Sequence, residues 1–174
     1  MDAREKNEVW EWAKSIIIAI LLALVIRAFV VEVFMVQGES MLPTLHDRER
    51  LIVSKVQLYY RDPQHGEIIV FKATEDRDFI KRVIAVAGDE VRVDRDGVYV
   101  NGRLLDEPYI MERAREAYGP VVIPDGAIFV MGDNRNNSMD SRHPSVGFVS
   151  LELLKGKAMF VFWPPGSMRL IQHP

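Results

Sequence analysis

Residues Phe79–Gly102 read FIKRVIAVAGDEVRVDRDGVYVNG. The first part is rich in β-branched residues, as strands are, and it breaks once, at Gly88-Asp89. Two turn signals follow, Asp96-Gly97 and Asn101-Gly102, with only Val98-Tyr99-Val100 between them. Both dipeptides tolerate the positive φ angles of two-residue hairpin loops. The segment therefore folds back on itself as antiparallel strands.

The pattern extends in both directions. Upstream lie Val30–Val36 (VVEVFMV), Arg50–Val56 (RLIVSKV) and Gly66–Ala73 (GEIIVFKA), the last two divided by Tyr59-Tyr60 and Asp62-Pro63. Downstream, Ala127–Met131 (AIFVM) precedes a polar loop, and Met159–Trp163 (MFVFW) runs into Pro164-Pro165. One short helix is expected over Ser150–Leu154. Strands this frequent, without helices alternating between them, predict a mainly β protein with an antiparallel β domain.

The N-terminus is different. Ser15–Ile26 reads SIIIAILLALVI, an uncharged run in which nine residues are Ile, Leu or Val. On a membrane-insertion scale these contribute roughly −4 kcal/mol near the bilayer centre. A helix over Trp10–Phe29 would span about 30 Å at 1.5 Å per residue, enough to cross a bilayer. Trp10 and Trp12 suit one interface, and Lys14 and Arg27 can snorkel from near the two ends. Bulky or charged residues (Phe29, Val30, Val31, Glu32) follow the run, so no small-x-small cleavage site is present there. The expected organisation is a tail over 1–9, one transmembrane helix over 10–29 and a β-rich domain over 30–174. The basic residues lie on both sides of the helix and do not decide its orientation.

Composition narrows the function. The net charge of −3 over 174 residues is too balanced for a nucleic-acid binder that works through bulk positive charge. The absence of cysteine excludes disulfide frameworks, thiolate metal sites and thiol nucleophiles. The four histidines show no paired metal-ligand spacing, and nothing in the chain calls for a metal or cofactor.

Three segments could carry chemistry. In Val36–Leu45 (VQGESMLPTL), Gly38 and Pro43 bracket Ser40 at a bend after a strand. Most serines in such a context are turn or cap residues. This one is neither in a capping box nor in a nucleophile elbow. In Asp78–Asp89, Lys81 and Arg82 alternate across a strand, so one of them should point inward. An inward lysine loses hydration, its pKa falls, and its neutral amine can act as a base; a lone lysine is more often at the surface. In Gly132–Gly147 (GDNRNNSMDSRHPSVG) the charges alternate densely, as in a hydrogen-bonded support or in a solvated loop. Arg135 stands where a calcium loop needs an oxygen ligand. Asn136-Asn137-Ser138 matches a glycosylation sequon, a match frequent by chance. Spacing alone leaves a Ser-His-Asp arrangement open.

Taken together, G-E-S-M-L-P-T-L, F-I-K-R-V-I, V-Y-V-N-G, G-D-N-R-N-N-S-M-D-S-R and the N-terminal anchor resemble the bacterial type I signal peptidases, membrane-bound Ser/Lys proteases. The resemblance covers nearly the whole chain and is similar to the compact Gram-positive-type members. It implies an antiparallel β catalytic domain on the extracytoplasmic side of the cell membrane, near the secretion translocon. It also implies cleavage of signal peptides from exported preproteins after small residues in an Ala-x-Ala-like pattern, without cofactor. Residue by residue, it implies Ser40 as nucleophile, Lys81 as general base and Ser138 as the hydroxyl that orients the lysine. Asp133, Asp140, Arg142 and Arg82 would form the polar support, with Arg82 facing Asp133. The Ser40 N–H would be one oxyanion donor. The second donor, a serine hydroxyl in some members, falls at Gly38. Val36, Met41, Leu45, Phe79 and Ile80 would line the substrate pocket. The common G-L-P-G-D reads Ala85-Val86-Ala87-Gly88-Asp89 here. Two other classes compete with this reading. The self-cleavage domains of SOS-type repressors lack the anchor and the last motif, and a tethered β binding module would lack catalysis.

Overall fold

The structure is a computed structural model that describes residues 3–173. One helix, α1 (Ala3–Phe29), leads into strands β1 (Val31–Met35), β2 (Arg50–Ser54), β3 (Ile68–Lys72), β4 (Asp78–Val86), β5 (Glu90–Asp94) and β6 (Gly97–Val100). These are followed by β7 (Arg103–Leu104), β8 (Tyr118–Val122), β9 (Ala127–Met131), β10 (Val149–Ser150), β11 (Leu154–Trp163) and β12 (Arg169–Leu170). All pairings are antiparallel. The larger sheet has the order β1-β2-β11-β3-β4-β9-β10, with β12 on β11; the smaller has the order β7-β6-β5-β8.

The apolar stretch Trp10–Phe29 of α1 has a mean hydropathy of 2.1 and none of it is buried against the domain, as fits a membrane anchor. The helix extends further than the expected span. Residues 3–9, expected as a separate tail, continue it, while Met1 and Asp2 lie outside the described residues. β1 starts two residues after the helix ends, so the anchor is joined to the domain through the strand that leads to Ser40.

Two differences from the expected elements have clear causes. The short helix is a single 3-10 turn, Leu151–Leu153, capped by the Ser150 hydroxyl, which accepts from Glu152 N–H at 3.4 Å. β11 has ten residues where only Met159–Trp163 was expected. Its first half, LKGKA, has no strand pattern by itself; it lies between β2 and β3, which supply its pairing.

Three apolar clusters organise the domain. One lies inside the curve of the larger sheet and includes Val36, Met41, Leu45, Leu51, Val53 and Val70. A second joins the two sheets through Ile84, Val91, Val98 and Phe129. A third packs Ile69, Phe71, Val83, Ile128 and Val130. β4 is covered on both sides: Lys81 is 4% exposed and Arg82 is 1% exposed. The expectation that alternation would turn one of them outward is therefore corrected.

The strand order leaves two free edges beside the serine turn. β1 pairs only with β2. The first residues of β4, Asp78–Lys81, pair with β3, but β9 joins β4 only from Arg82 onward. Between these two edges lies an open cleft of about 590 Å³.

Candidate active site

Ser40 follows β1 in a compact turn. Leu42 N–H donates to Glu39 O (3.1 Å) and Leu45 N–H to Met41 O (2.9 Å), which forms one helical turn past the serine. That turn carries Met41 and Leu45 into the core, where they are 1% and 0% exposed. Burying them fixes the backbone that presents Ser40 to the cleft.

Lys81 reaches the same point from β4. Its Nζ lies 2.7 Å from Ser40 Oγ and donates to Ile80 O at 3.1 Å. The stem runs past Phe79, whose ring centroid is 5.2 Å from Nζ. Burial lowers the lysine pKa from 10.5 to about 8, against the opposing attraction of Asp140 and Asp133. The amine can therefore be neutral in weakly alkaline water, where an exposed lysine is almost wholly charged.

The polar loop after β9 buries several of its polar side chains, while Asn136, Asn137 and Met139 stay exposed. Asp133, Arg135, Asp140 and Ser141 are 2% exposed or less. Such groups are tolerated inside only when paired, and each of them is. Arg82 donates from Nε to Asp133 Oδ1 (2.8 Å) and from Nη2 to Oδ2 (2.6 Å). Arg142 grips Asp140 with two bonds of 2.8 Å, and Gly132 N–H donates to Asp140 Oδ2. Burial alone would raise the Asp140 carboxyl; Arg142 holds it below the usual carboxylate range. Asn134 then fastens the nucleophile turn, with its N–H on Ser40 O (3.0 Å) and its Nδ2 on Glu39 O (3.1 Å).

Other supports carry no sequence signal. Arg135 donates twice to Glu107, at 2.9 and 2.6 Å, and Tyr109 covers Arg82 at 3.9 Å from ring centroid to guanidinium carbon. Arg169 donates to Thr44 O at 2.6 Å and to both Glu49 oxygens. It thus holds the far side of the serine turn. Glu107 and Arg169 lie in segments without a recognisable motif, and only the folded chain brings them to the site.

Three expected placements differ. Ser138 Oγ is buried beside the Asp140 carboxylate and makes no hydrogen bond to Lys81, whose amine is turned to Ser40 and Ile80 O instead. Gly38 N–H donates to Asp47 Oδ1 at 2.8 Å, so it is already occupied and is no second oxyanion donor. The glycine has φ +86°, a conformation a serine there would adopt only with strain. Leu45 does not line the cleft; its helical turn points it into the core. Val36, Met41, Phe79 and Ile80 do line it, together with Asp78 and with Phe34 and Met139, which the sequence reading did not assign to it. Among the described residues the Ser40 N–H has no acceptor and is available to an incoming oxygen. No histidine lines the cleft.

Such an arrangement, a serine hydroxyl against a buried amine of lowered pKa at the end of a groove with free strand edges, can perform nucleophilic attack on an extended peptide. Comparison with known proteins gives the family. Residues 9–163 match the family described as "Signal peptidase, peptidase S26". A signal peptidase I of Bacillus licheniformis is 43% identical over 95% of this chain and 94% of its own length. Signal peptidase I S of Bacillus subtilis is 41% identical over 95% of each. A probable signal peptidase I-2 of Synechocystis is 46% identical over 91% of this chain and 75% of its own length. A solved signal peptidase I from Enterococcus faecalis is 29% identical and superposes with a TM-score of 0.49 over 56% of this chain and 97% of that one.

Proposed function

The chain belongs to the signal peptidase family, peptidase S26, and so is a serine endopeptidase that removes signal peptides; we propose that it does so through Ser40 and Lys81, cutting after small residues. The observation that carries this reading is the 2.7 Å approach of Lys81 Nζ to Ser40 Oγ inside a buried, cleft-end environment.

The geometry supports the following mechanism. Neutral Lys81 donates to Ile80 O, which turns its lone pair to Ser40. It accepts the hydroxyl proton as Oγ attacks the scissile carbonyl, and the Ser40 N–H stabilises the oxyanion. The protonated lysine returns its proton to the leaving amine, the new N-terminus of the mature protein. An ester joins Ser40 to the signal peptide. Lys81 then activates a water that hydrolyses this ester. While protonated, the lysine has three N–H groups. Ile80 O and the serine oxygen satisfy two. Ser138 Oγ, buried beside Asp140, accepts the third.

The substrate lies extended between the free edges of β1 and β4, which run parallel. Val36, Met41, Phe79 and Ile80 line the groove at its catalytic end and leave room for Ala or Gly while excluding larger side chains by clash. The domain sits on the outer face of the cell membrane with the N-terminus in the cytoplasm, close to the translocon that delivers preproteins. Its lipid contact is supported by a cross-strand row of apolar side chains, Val33, Ile52, Phe160 and Leu170, on the outer face of the sheet that continues from the anchor. Val33 and Leu170 there are 57% and 75% exposed.

The test is incubation of the detergent-solubilised protein with a preprotein, with the cut site mapped by mass spectrometry. One cut after a small residue, lost in Ser40→Ala with fold unchanged, is expected. Cleavage that persists in Ser40→Ala would refute the assignment.

A further inference from the structure

At the anchor end of the substrate groove lies a second hollow, of about 400 Å³, lined by Glu32, Lys55, Leu58, Tyr59, Leu154 and Lys155. It is in line with the first. Phe34 and Asp78 line the main cleft. Lys155 lines the second hollow, yet its Nζ bonds Asp78 at 2.7 Å and lies 5.7 Å from the Phe34 ring centroid. One side chain therefore stands on the boundary between the two spaces.

Distance gives the register. β1 advances from Glu32 to Val36 in four steps of about 3.3 Å, or about 13 Å. β4 places Asp78 three steps, about 10 Å, before Lys81. A parallel extended substrate with its cut residue at Ser40 thus reaches Glu32 and Lys155 about five or six residues upstream.

The lining decides what enters. Lys55 pairs with Glu32 at 2.8 Å and Lys155 with Asp78 at 2.7 Å, so both cations are already neutralised. A charged newcomer would lose water without gaining a free partner. An apolar one would meet Leu58, Leu154, the Tyr59 ring and the stems of both lysines. Tyr59 is 61% exposed, an apolar surface left open beside the groove.

We propose that this hollow is an upstream subsite that takes an apolar side chain of the signal peptide about five or six residues before the cut. It reads the end of the substrate's hydrophobic segment, whereas the catalytic end reads the small residue at the cut. The proposal rests on the peptidase reading above.

Three peptides test it on the full chain in detergent micelles. A long peptide carries Leu at the sixth position before the cut, a second differs only by Asp there, and a short one begins four residues before the cut. The wild type should favour Leu over Asp by about tenfold in kcat/KM. Tyr59→Asp and Leu58→Ser should each abolish that preference, yet cut the short peptide at the wild-type rate, while Tyr59→Phe should keep the preference. Equal rates for Leu and Asp in the wild type would overturn the subsite, as would a preference that survives in both Tyr59→Asp and Leu58→Ser. Failure of the wild type on all three peptides would instead overturn the peptidase reading and the subsite with it.

Discussion

Arg82 and Asp133, fifty-one positions apart, form a two-bond ion pair in which both side chains are almost without solvent contact, 1% and 0% exposed. Arg82 is the next residue after Lys81. The pair therefore ties the strand that carries the base to the loop that holds the nucleophile turn. Thr44, on that turn, donates to the same aspartate.

Removing one partner leaves a buried charge alone. Asp133→Ala should cost about 3–5 kcal/mol of stability. Denaturant unfolding of the wild type and the variant measures this. Equal midpoints would mean that the pair has no structural role.

Gly132 sits where the loop meets the serine turn. An added Cβ would lie 2.4 Å from Ser40 O and 2.3 Å from Ser138 Oγ, closer than atoms can approach. Gly132→Ala should displace the nucleophile and reduce kcat by about 100-fold, since small misplacements of reacting groups cost that much. Steady-state kinetics would reveal it, and an unaltered kcat would show that the loop yields without moving Ser40.

Ser138→Ala separates two roles. If the hydroxyl accepts from the protonated lysine, kcat falls about tenfold or more while KM stays, because the bond exists only after proton transfer. A change confined to KM would place the hydroxyl in substrate binding instead.

Lys81 also leaves a mark on stability. Its folded pKa is lowered to about 8. Between that value and the ordinary lysine value the unfolded chain binds more protons than the folded one, so stability rises with pH across this window, by up to about 3 kcal/mol. Below pH 8 both states are protonated and the cost of the buried ammonium is constant. Lys81→Met should flatten the rise and stabilise the protein at neutral pH. Denaturant midpoints taken across the window decide it; an equal rise in the variant would assign the effect to another group.

Much of the fold was legible because most strands carry their own pattern. Ala127–Met131 matches β9 residue for residue, and the Asn101-Gly102 turn joins β6 to β7 with positive φ at both residues. The other hairpin is shifted by one, with Gly97 paired to Asp94 across an Arg95-Asp96 loop. β8, YGPVV, was hidden by its glycine and proline, which are tolerable because it is an edge strand. At the site, Ser40 and Lys81 are far apart in sequence, and only the resemblance to a family joined them. Leu45 was given to the pocket by its matched position alone, but the i to i+4 turn after the serine carries it into the core. Polar composition made the 132–142 loop look as much solvated as structural. Partners such as Glu107 and Arg169 are visible only once the chain is folded.

The pH dependence of kcat/KM on a soluble signal-peptide substrate tests the Ser40–Lys81 assignment most directly. The account predicts an acidic limb governed by one group near the lysine value of about 8, activity lost in Lys81→Met and not restored in Lys81→Arg, and a profile unchanged in His143→Ala. A limb in the histidine range that disappears with His143→Ala, or near-normal cleavage by Lys81→Met, would contradict it.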